Sequence, residues 1–153
     1  MKRIGLSIAA VLLGASMAFA QQKAPTEVQK AFADKFPEAK SVKWEKESDG
    51  GWEAEFKMNG NKVSVEFDSK GAWSQTETEI KTSELPEAVR DAIKSNFEGY
   101  TADEAEMVET ADGEVNYEVD MEKGKAELEV LFAADGKVLK KMRETEDDNG
   151  DED

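Results

Sequence analysis

The sequence predicts an α+β protein in which two helices pack on one face of an antiparallel sheet of about eight strands. Two observations support this fold class. Apolar residues recur with helical spacing in one segment and then alternate with polar residues in the segments that follow it. The same order, one helix and then four strands, occurs a second time further along the chain. The chain is therefore predicted to contain two tandem α-β-β-β-β repeats.

Each predicted helix begins at a proline and has one apolar stripe. Pro25 and Pro86 suit the first helical turn, where a missing N–H leaves no hydrogen bond unmade. Pro37 ends the first helix and Gly99 ends the second. Between these limits the apolar residues lie on one side of a helix in both copies; they are Val28, Ala31, Phe32 and Phe36, then Val89, Ala92, Ile93 and Phe97.

The segments after each helix have the alternation of strands that bury one face. Residues 52–58 and 117–122 are the clearest examples. Residues that favour positive φ separate these segments at the positions expected of hairpin turns; they include Gly50-Gly51, Asn59-Gly60, Asp112-Gly113 and Gly124. Two arrangements are open at this point: one long curved antiparallel sheet, or two half-sheets packed together.

These patterns divide the chain into four parts. Residues 1–20 are predicted to be a signal peptide, 21–81 the first repeat, 82–143 the second repeat and 144–153 an acidic disordered tail. The link between the repeats, residues 81–84, is short, which favours two units in contact over two free domains. The tail is almost wholly acidic and polar, so it has no apolar surface to bury.

The N-terminal segment predicts export. Lys2 and Arg3 precede an apolar stretch, and Ala18-Phe19-Ala20 places small residues at both recognition positions of a signal peptidase. The stretch is shorter than the ~20 residues of a membrane-spanning helix. Cleavage is therefore expected after Ala20, leaving a periplasmic or secreted protein that does not insert into the membrane.

Composition excludes several functions. The formal net charge of the chain is −15, so nucleic acid would be repelled. The sequence has no His and no Cys, which removes the usual nucleophile pairs and the usual zinc and copper ligands. No Gly-rich phosphate loop is present. The sequence thus predicts a protein that is not an enzyme and needs no cofactor.

The carboxylates at alternate strand positions are the candidate binding residues, although a solvated polar face is the simpler interpretation. The candidates for binding a protein partner, one with a basic or hydrolase surface, are Glu53, Glu55, Glu118, Asp120, Glu127 and Glu129. A calcium-binding or calcium-responsive protein is the alternative, because like charges across a hairpin would be relieved by a cation. Its candidate ligands are Asp120, Glu122 and Glu127.

The ordered set of motifs resembles the PepSY-like, or β-lactamase-inhibitor-like, family. The similarity begins with the run from Pro25 to Trp44 and continues in the segment from Val63 to Trp73. The second copy matches at Pro86, Val89, Phe97, Tyr117, Phe132 and Gly136. The resemblance implies an exported bacterial protein with tandem helix-and-sheet repeats. It also implies an architecture like that of a secreted inhibitor that clasps an enzyme with a concave sheet.

Overall fold

The computed structural model describes residues 23–144, with side chains described as far as residue 142. The predicted signal peptide, its cleavage after Ala20, and residues 145–153 of the predicted tail lie outside the described residues. The described elements, in chain order, are α1 (Thr26–Lys35), β1 (Lys43–Lys46), β2 (Trp52–Met58), β3 (Asn61–Phe67), β4 (Trp73–Ile80), a 3-10 turn (Thr82–Glu84), α2 (Glu87–Asn96), β5 (Thr101–Thr110), β6 (Val115–Lys123), β7 (Ala126–Ala133) and β8 (Val138–Glu144).

All eight strands form one antiparallel sheet in the order β1 to β8, so each strand pairs with its neighbours in sequence. The predicted α+β class is confirmed, and of the two arrangements left open the single sheet is the correct one. The strand β4 joins the two halves by pairing with β5, for example Thr78 with Met107. The division into repeats at residues 21–81 and 82–143 stays a prediction.

Both helices lie within the limits that their sequences predict, between Pro25 and Pro37 and between Pro86 and Gly99. Pro25 and Pro86 stand at the N-caps, immediately before the first helical residues. At the other ends the N–H of Phe36 donates to the carbonyl of Phe32, and the N–H of Phe97 donates to that of Ile93. The apolar stripes are buried against the sheet, because only there can they leave water.

The core is divided into two clusters on the helix-covered face of the sheet. In the first, Phe32 of α1 makes edge-on contacts with Trp44, Phe56 and Phe67. In the second, Phe97 packs edge-on against Phe132 under α2. Because successive residues of a strand point to opposite faces, this packing places the intervening polar residues on the other side of the sheet.

Candidate protein-binding face

The face opposite the helices is called the helix-free face below. In the described residues, both helices pack on the other side of the sheet, with the two core clusters. Alternation and register assign the helix-free face mostly polar and acidic side chains: Glu53, Glu55, Ser64, Glu66, Gln75, Glu77, Glu79, Glu104, Glu106, Val108, Asn116, Glu118, Asp120, Glu122, Glu127, Glu129 and Leu131. Lys57, Lys62 and Lys140 also lie on this face, but acidic side chains outnumber basic ones there.

The binding candidates predicted from the sequence all lie on this face, but in two separate groups. Glu53 and Glu55 lie on β2. The other four, Glu118, Asp120, Glu127 and Glu129, lie on β6 and β7. Three strands, β3 to β5, separate the groups. The structure therefore does not bring the six candidates together, and the space between them is filled by residues that the sequence did not single out.

The first group is neutralised by its neighbours. Lys43 Nζ lies 3.1 Å and Lys62 Nζ 3.4 Å from the carboxylate of Glu55. Burial opposes ionisation of Glu55, but the hydrogen bond from Lys43 and the charge of Lys62 outweigh it and hold its pKa below the ordinary value. Glu53 accepts a hydrogen bond from the Ser64 hydroxyl. These two carboxylates therefore have counter-charges or donors within the sheet itself.

Beyond β2, like charges lie directly opposite each other. The register pairs Glu106 with Glu118, Glu104 with Asp120, Asp120 with Glu129, and Glu122 with Glu127. Side chains opposite each other in an antiparallel pair have Cβ atoms about 4.5–5.5 Å apart, and like charges at that distance destabilise a sheet.

The interpretation of these carboxylates as a solvated face is wrong for several of them. Glu77 is 5% exposed, Glu118 9% and Glu129 7%. Apolar residues flank them on the same face, with Val108 opposite Glu77 and Leu131 opposite Glu118. Alternation shows which face a side chain occupies, but in a wide sheet the side chains of neighbouring strands also cover one another.

Burial next to like charges disfavours the ionised forms of Glu77, Glu118 and Glu106. Burial first, and then the charges of Glu106 and Glu118, raise the pKa of Glu77 to about 10. Burial and the charge of Glu129 raise the pKa of Glu118 to about 8. Burial also raises the pKa of Glu106 to about 7, although the charge of Lys62 opposes the change.

Sequence reasoning missed Glu66, Glu77 and Glu106, which occupy the central strands of this face. Glu77 and Glu106 sit at alternate positions of β4 and β5, so the alternation was a signal that could have found them. Only the register shows that Glu106 lies opposite Glu118 and diagonal to Glu77. Such pairings cannot be read until the strand order is known.

Two concave regions open on the polar parts of the sheet. A small depression lies among Glu104, Glu106, Glu118 and Asp120, and its volume is about 10 Å³. A cleft of about 400 Å³ lies at the end of β3, between the turn of residues 47–51 and the turn of residues 68–69. In that cleft burial and the neighbouring Glu53 raise the pKa of Glu47 to about 7.

The calcium candidates do not form a cation cage in the part of the chain that the structure describes. Glu122 lies opposite Glu127, and Asp120 lies opposite Glu129, one pair further along the same hairpin. Among the described residues, no group of three or more carboxylates is arranged to hold a metal ion. Calcium binding stays a prediction without support from this geometry.

The fold and this face define a class: an α+β protein with a single antiparallel sheet, covered by helices on one side and acidic on the other. A family model described as "putative beta-lactamase-inhibitor-like, PepSY-like" matches residues 50–140. The chain belongs to this PepSY-like family, and the predicted resemblance is confirmed.

Solved structures share the fold. A protein from Bacteroides ovatus, of a family without assigned function, is 24% identical with a TM-score of 0.72, over 80% of this chain and 89% of that one. A BLIP-like protein from Bacteroides fragilis is also 24% identical, with a TM-score of 0.69, over 86% and 94% of the two chains. These likenesses show the fold alone.

A third structure, from Bacteroides eggerthii, is named a "putative periplasmic protein". It is 25% identical with a TM-score of 0.73, over 80% of this chain and 90% of that one. The search of curated proteins found no match. Among the described helices, none is long and apolar enough to cross a membrane.

Proposed function

We propose that the chain is a non-enzymatic periplasmic protein that binds another protein through its helix-free face. The observation that carries the proposal is the burial of Glu77 and Glu118 beside like charges on a face that neither described helix covers. This arrangement costs stability in the isolated protein. A partner that brings positive charge to the face would remove the cost, so the strain favours association.

The absence of His and Cys from the sequence supports a role without catalysis. The family is described as β-lactamase-inhibitor-like, a description that names no reaction. A hydrolase is therefore one class of partner, and inhibition one possible consequence of binding. The periplasmic location is supported by the predicted signal peptide and by the name of the Bacteroides eggerthii relative.

Affinity capture from a bacterial envelope extract tests the proposal. The bait is the chain from residue 21 onward, compared with a variant in which Glu77, Glu106 and Glu118 are changed to Gln. The matched control changes three exposed glutamates on or beside the helices, Glu27, Glu87 and Glu98. We expect one stoichiometric partner with the parent and the control, and its loss with the first variant. Equal capture by all three baits would refute binding through this face.

The alternative, a calcium-responsive protein, has a separate test. A ligand that binds only the folded state must raise the melting temperature. If calcium is the ligand, millimolar calcium raises that temperature relative to chelator, and Glu122→Gln reduces the rise. An unchanged melting temperature removes the alternative.

A further inference from the structure

We propose that the depression among Glu104, Glu106, Glu118 and Asp120 is the anchoring subsite of the helix-free face and accepts the ammonium group of a lysine from the partner protein. This inference rests on the proposed function. It goes beyond that function by naming the chemical group that the partner must present and the place where this group binds.

The size of the depression matches an ammonium group. Its volume of about 10 Å³ is close to the space that one water-sized group requires. An ammonium group is a compact charge of that size, whereas the guanidinium group of arginine is planar and wider.

One carboxyl group of its lining, that of Glu118, has no cation of its own. Glu118, which is 9% exposed, has no hydrogen bond and no ion pair among the described residues, and the charges that bear on it most are acidic. Leu131, opposite Glu118 on β7, is 4% exposed, so little water reaches Glu118 from that side, whereas Glu104 and Asp120 at the rim are exposed. A cation that entered would interact with Glu118 where little water screens the pair, and charge pairs are strong in such a setting. A nearly buried, unpaired carboxyl group at the wall of a depression points to a missing cationic partner.

A lysine fits this site better than a metal ion. No three of the described carboxylates are arranged to hold a metal ion, which requires several oxygens at fixed short distances. An ammonium group needs only three acceptors in a loose arrangement, and its four-carbon stem can lie along apolar surface.

Docking of a lysine should release protons. Burial and the neighbouring acids raise the pKa of Glu118 to about 8 and that of Glu106 to about 7. An ammonium group beside them favours their ionised forms, so binding should tighten as pH rises from 6 to 8.5. These charged groups face the pair from the surrounding strands: Glu53 and Glu55 (β2), Lys62 and Glu66 (β3), Glu77 and Glu79 (β4), Glu104 (β5), Asp120 (β6), Glu129 (β7) and Lys140 (β8).

Lys62 and Lys140 are the lysines among these groups. Lys62 Nζ lies 3.4 Å from Glu55, which already binds it. Lys140 lies opposite Leu131, on the far side of Glu118 from Glu106. Neither lysine lines the depression, although the charge of Lys62 acts on Glu106. An external lysine is therefore the cation that Glu118 still lacks.

Hexalysine is the probe for the test, and hexaarginine is the matched probe with equal charge. The chain from residue 21, labelled with carbon-13, is titrated with each peptide at pH 8.5 and low salt. We expect hexalysine to shift the side-chain carboxyl signals of Glu106 and Glu118, and hexaarginine to leave them near their original positions. Calorimetry in two buffers of different ionisation enthalpy at pH 7.5 should show roughly one proton released per hexalysine bound.

Two variants locate the effect. Glu118→Gln should weaken hexalysine binding at least about tenfold, because a desolvated charge pair is lost. Glu122→Gln, which removes the same charge from the same strand and face but lies outside the depression, should weaken it no more than about threefold. Glu106→Gln provides a second variant if Glu118→Gln unfolds, which its melting temperature will show.

Several outcomes would overturn the inference. Equal binding by Glu118→Gln and Glu122→Gln would exclude the subsite. Equal carboxyl shifts with hexaarginine would exclude an ammonium-specific site, and the same shifts with calcium alone would make it a metal site. If Glu118→Gln still captures the envelope partner that the triple variant loses, the proposed function stands and the lysine subsite fails. If no bait captures a partner, the proposed function fails, whatever hexalysine does.

Discussion

At the residue scale, Glu77 shows how a buried acidic residue on the helix-free face lowers the stability of the fold. It is 5% exposed and accepts a hydrogen bond of 2.8 Å from the Gln75 amide. One neutral donor cannot compensate for the loss of water around a carboxylate. The folded protein therefore keeps Glu77 protonated, and the unfolded chain releases that proton at ordinary pH.

Glu77→Gln is expected to stabilise the fold at pH 8 and to have little effect at pH 4.5. At pH 8 the folded state must hold a proton on Glu77, whose pKa is raised to about 10. Each pH unit between the unfolded and folded pKa values of Glu77 lowers the free energy of unfolding by ~1.4 kcal/mol. The amide of Gln does not ionise, so the variant avoids this loss of stability. From pH 4.5 to pH 8 this rate sets an upper limit of about 5 kcal/mol, and we expect a gain of at least roughly 2 kcal/mol at pH 8, measured by urea unfolding.

The control for this variant is Glu79→Gln, on the same strand and face but exposed. It should change the free energy of unfolding by less than about 0.5 kcal/mol, as is usual for surface substitutions. A Glu77→Gln protein that is no more stable than the parent at pH 8 would show that Glu77 pays no such penalty.

The contrast between Glu77 and Glu55 shows the limit of sequence reasoning at this scale. Both stand at alternate polar positions of a strand, and nothing in the local pattern distinguishes them. Glu55 has Lys43 and Lys62 within ion-pair distance, whereas Glu77 has acidic neighbours. The difference arises from strand register and from the width of the sheet, which are properties of the tertiary fold.

At the element scale, each helix contacts the turn between the last two strands of its half of the sheet. A Cβ on Gly71, in the β3–β4 turn, would lie 2.9 Å from the carbonyl oxygen of Glu27 in α1. A Cβ on Gly136, in the β7–β8 turn, would lie 2.4 Å from the carbonyl oxygen of Ala88 in α2. Both glycines have positive φ, so the turns need glycine for their shape and for this close approach.

Gly136→Ala should destabilise the protein by more than the left-handed backbone alone requires. A non-glycine residue at positive φ costs about 1–2 kcal/mol, and here the new methyl group also meets the backbone of α2. We expect a loss of roughly 3 kcal/mol in thermal or urea unfolding. Gly113→Ala is the matched control, because its φ is similar at 84° and a Cβ there would meet nothing within 4 Å.

Equal losses of stability from Gly136→Ala and Gly113→Ala would mean that α2 moves away from the new methyl group without lowering the stability. Gly71 and Gly136 each follow a strand and occur in a Phe-x-x-x-Gly pattern, which is typical of a turn. The sequence could not predict that the turns contact the helices. That contact depends on where α1 and α2 lie over the sheet, which is set by the packing of residues such as Phe32 and Phe97.

At the scale of the whole molecule, the predictable and the unpredictable parts follow the two faces of the sheet. The helix-covered face was predictable because apolar spacing identifies residues such as Val28 and Val130 that must leave water. The chemistry of the helix-free face was not, because it depends on which acidic residues become neighbours across seven strand pairings. Its acidic character was visible in the sequence, but its burial was not.

The buried acids of this face should make the whole protein most stable in mild acid. The pKa values of Glu47 and Glu106 are raised to about 7, those of Glu66 and Glu118 to about 8, and that of Glu77 to about 10, with burial the largest cause in each case. Between pH 4.5 and these values the folded state binds more protons than the unfolded state, so stability falls as pH rises.

The lowered pKa of Glu55 has the opposite effect on stability. It acts only at pH values below the ordinary pKa of a glutamate, where stability is lost as pH falls. The melting temperature should therefore be highest near pH 5 and decrease steadily to pH 9, which calorimetry at several pH values can measure. Changing Glu77, Glu106 and Glu118 together to Gln should flatten this decrease, whereas the control change of Glu27, Glu87 and Glu98 should leave its slope nearly intact. A melting temperature that rises from pH 5 to pH 8 would show that these carboxylates are ionised and already neutralised in the folded protein. The helix-free face would then have no need of positive charge from a partner.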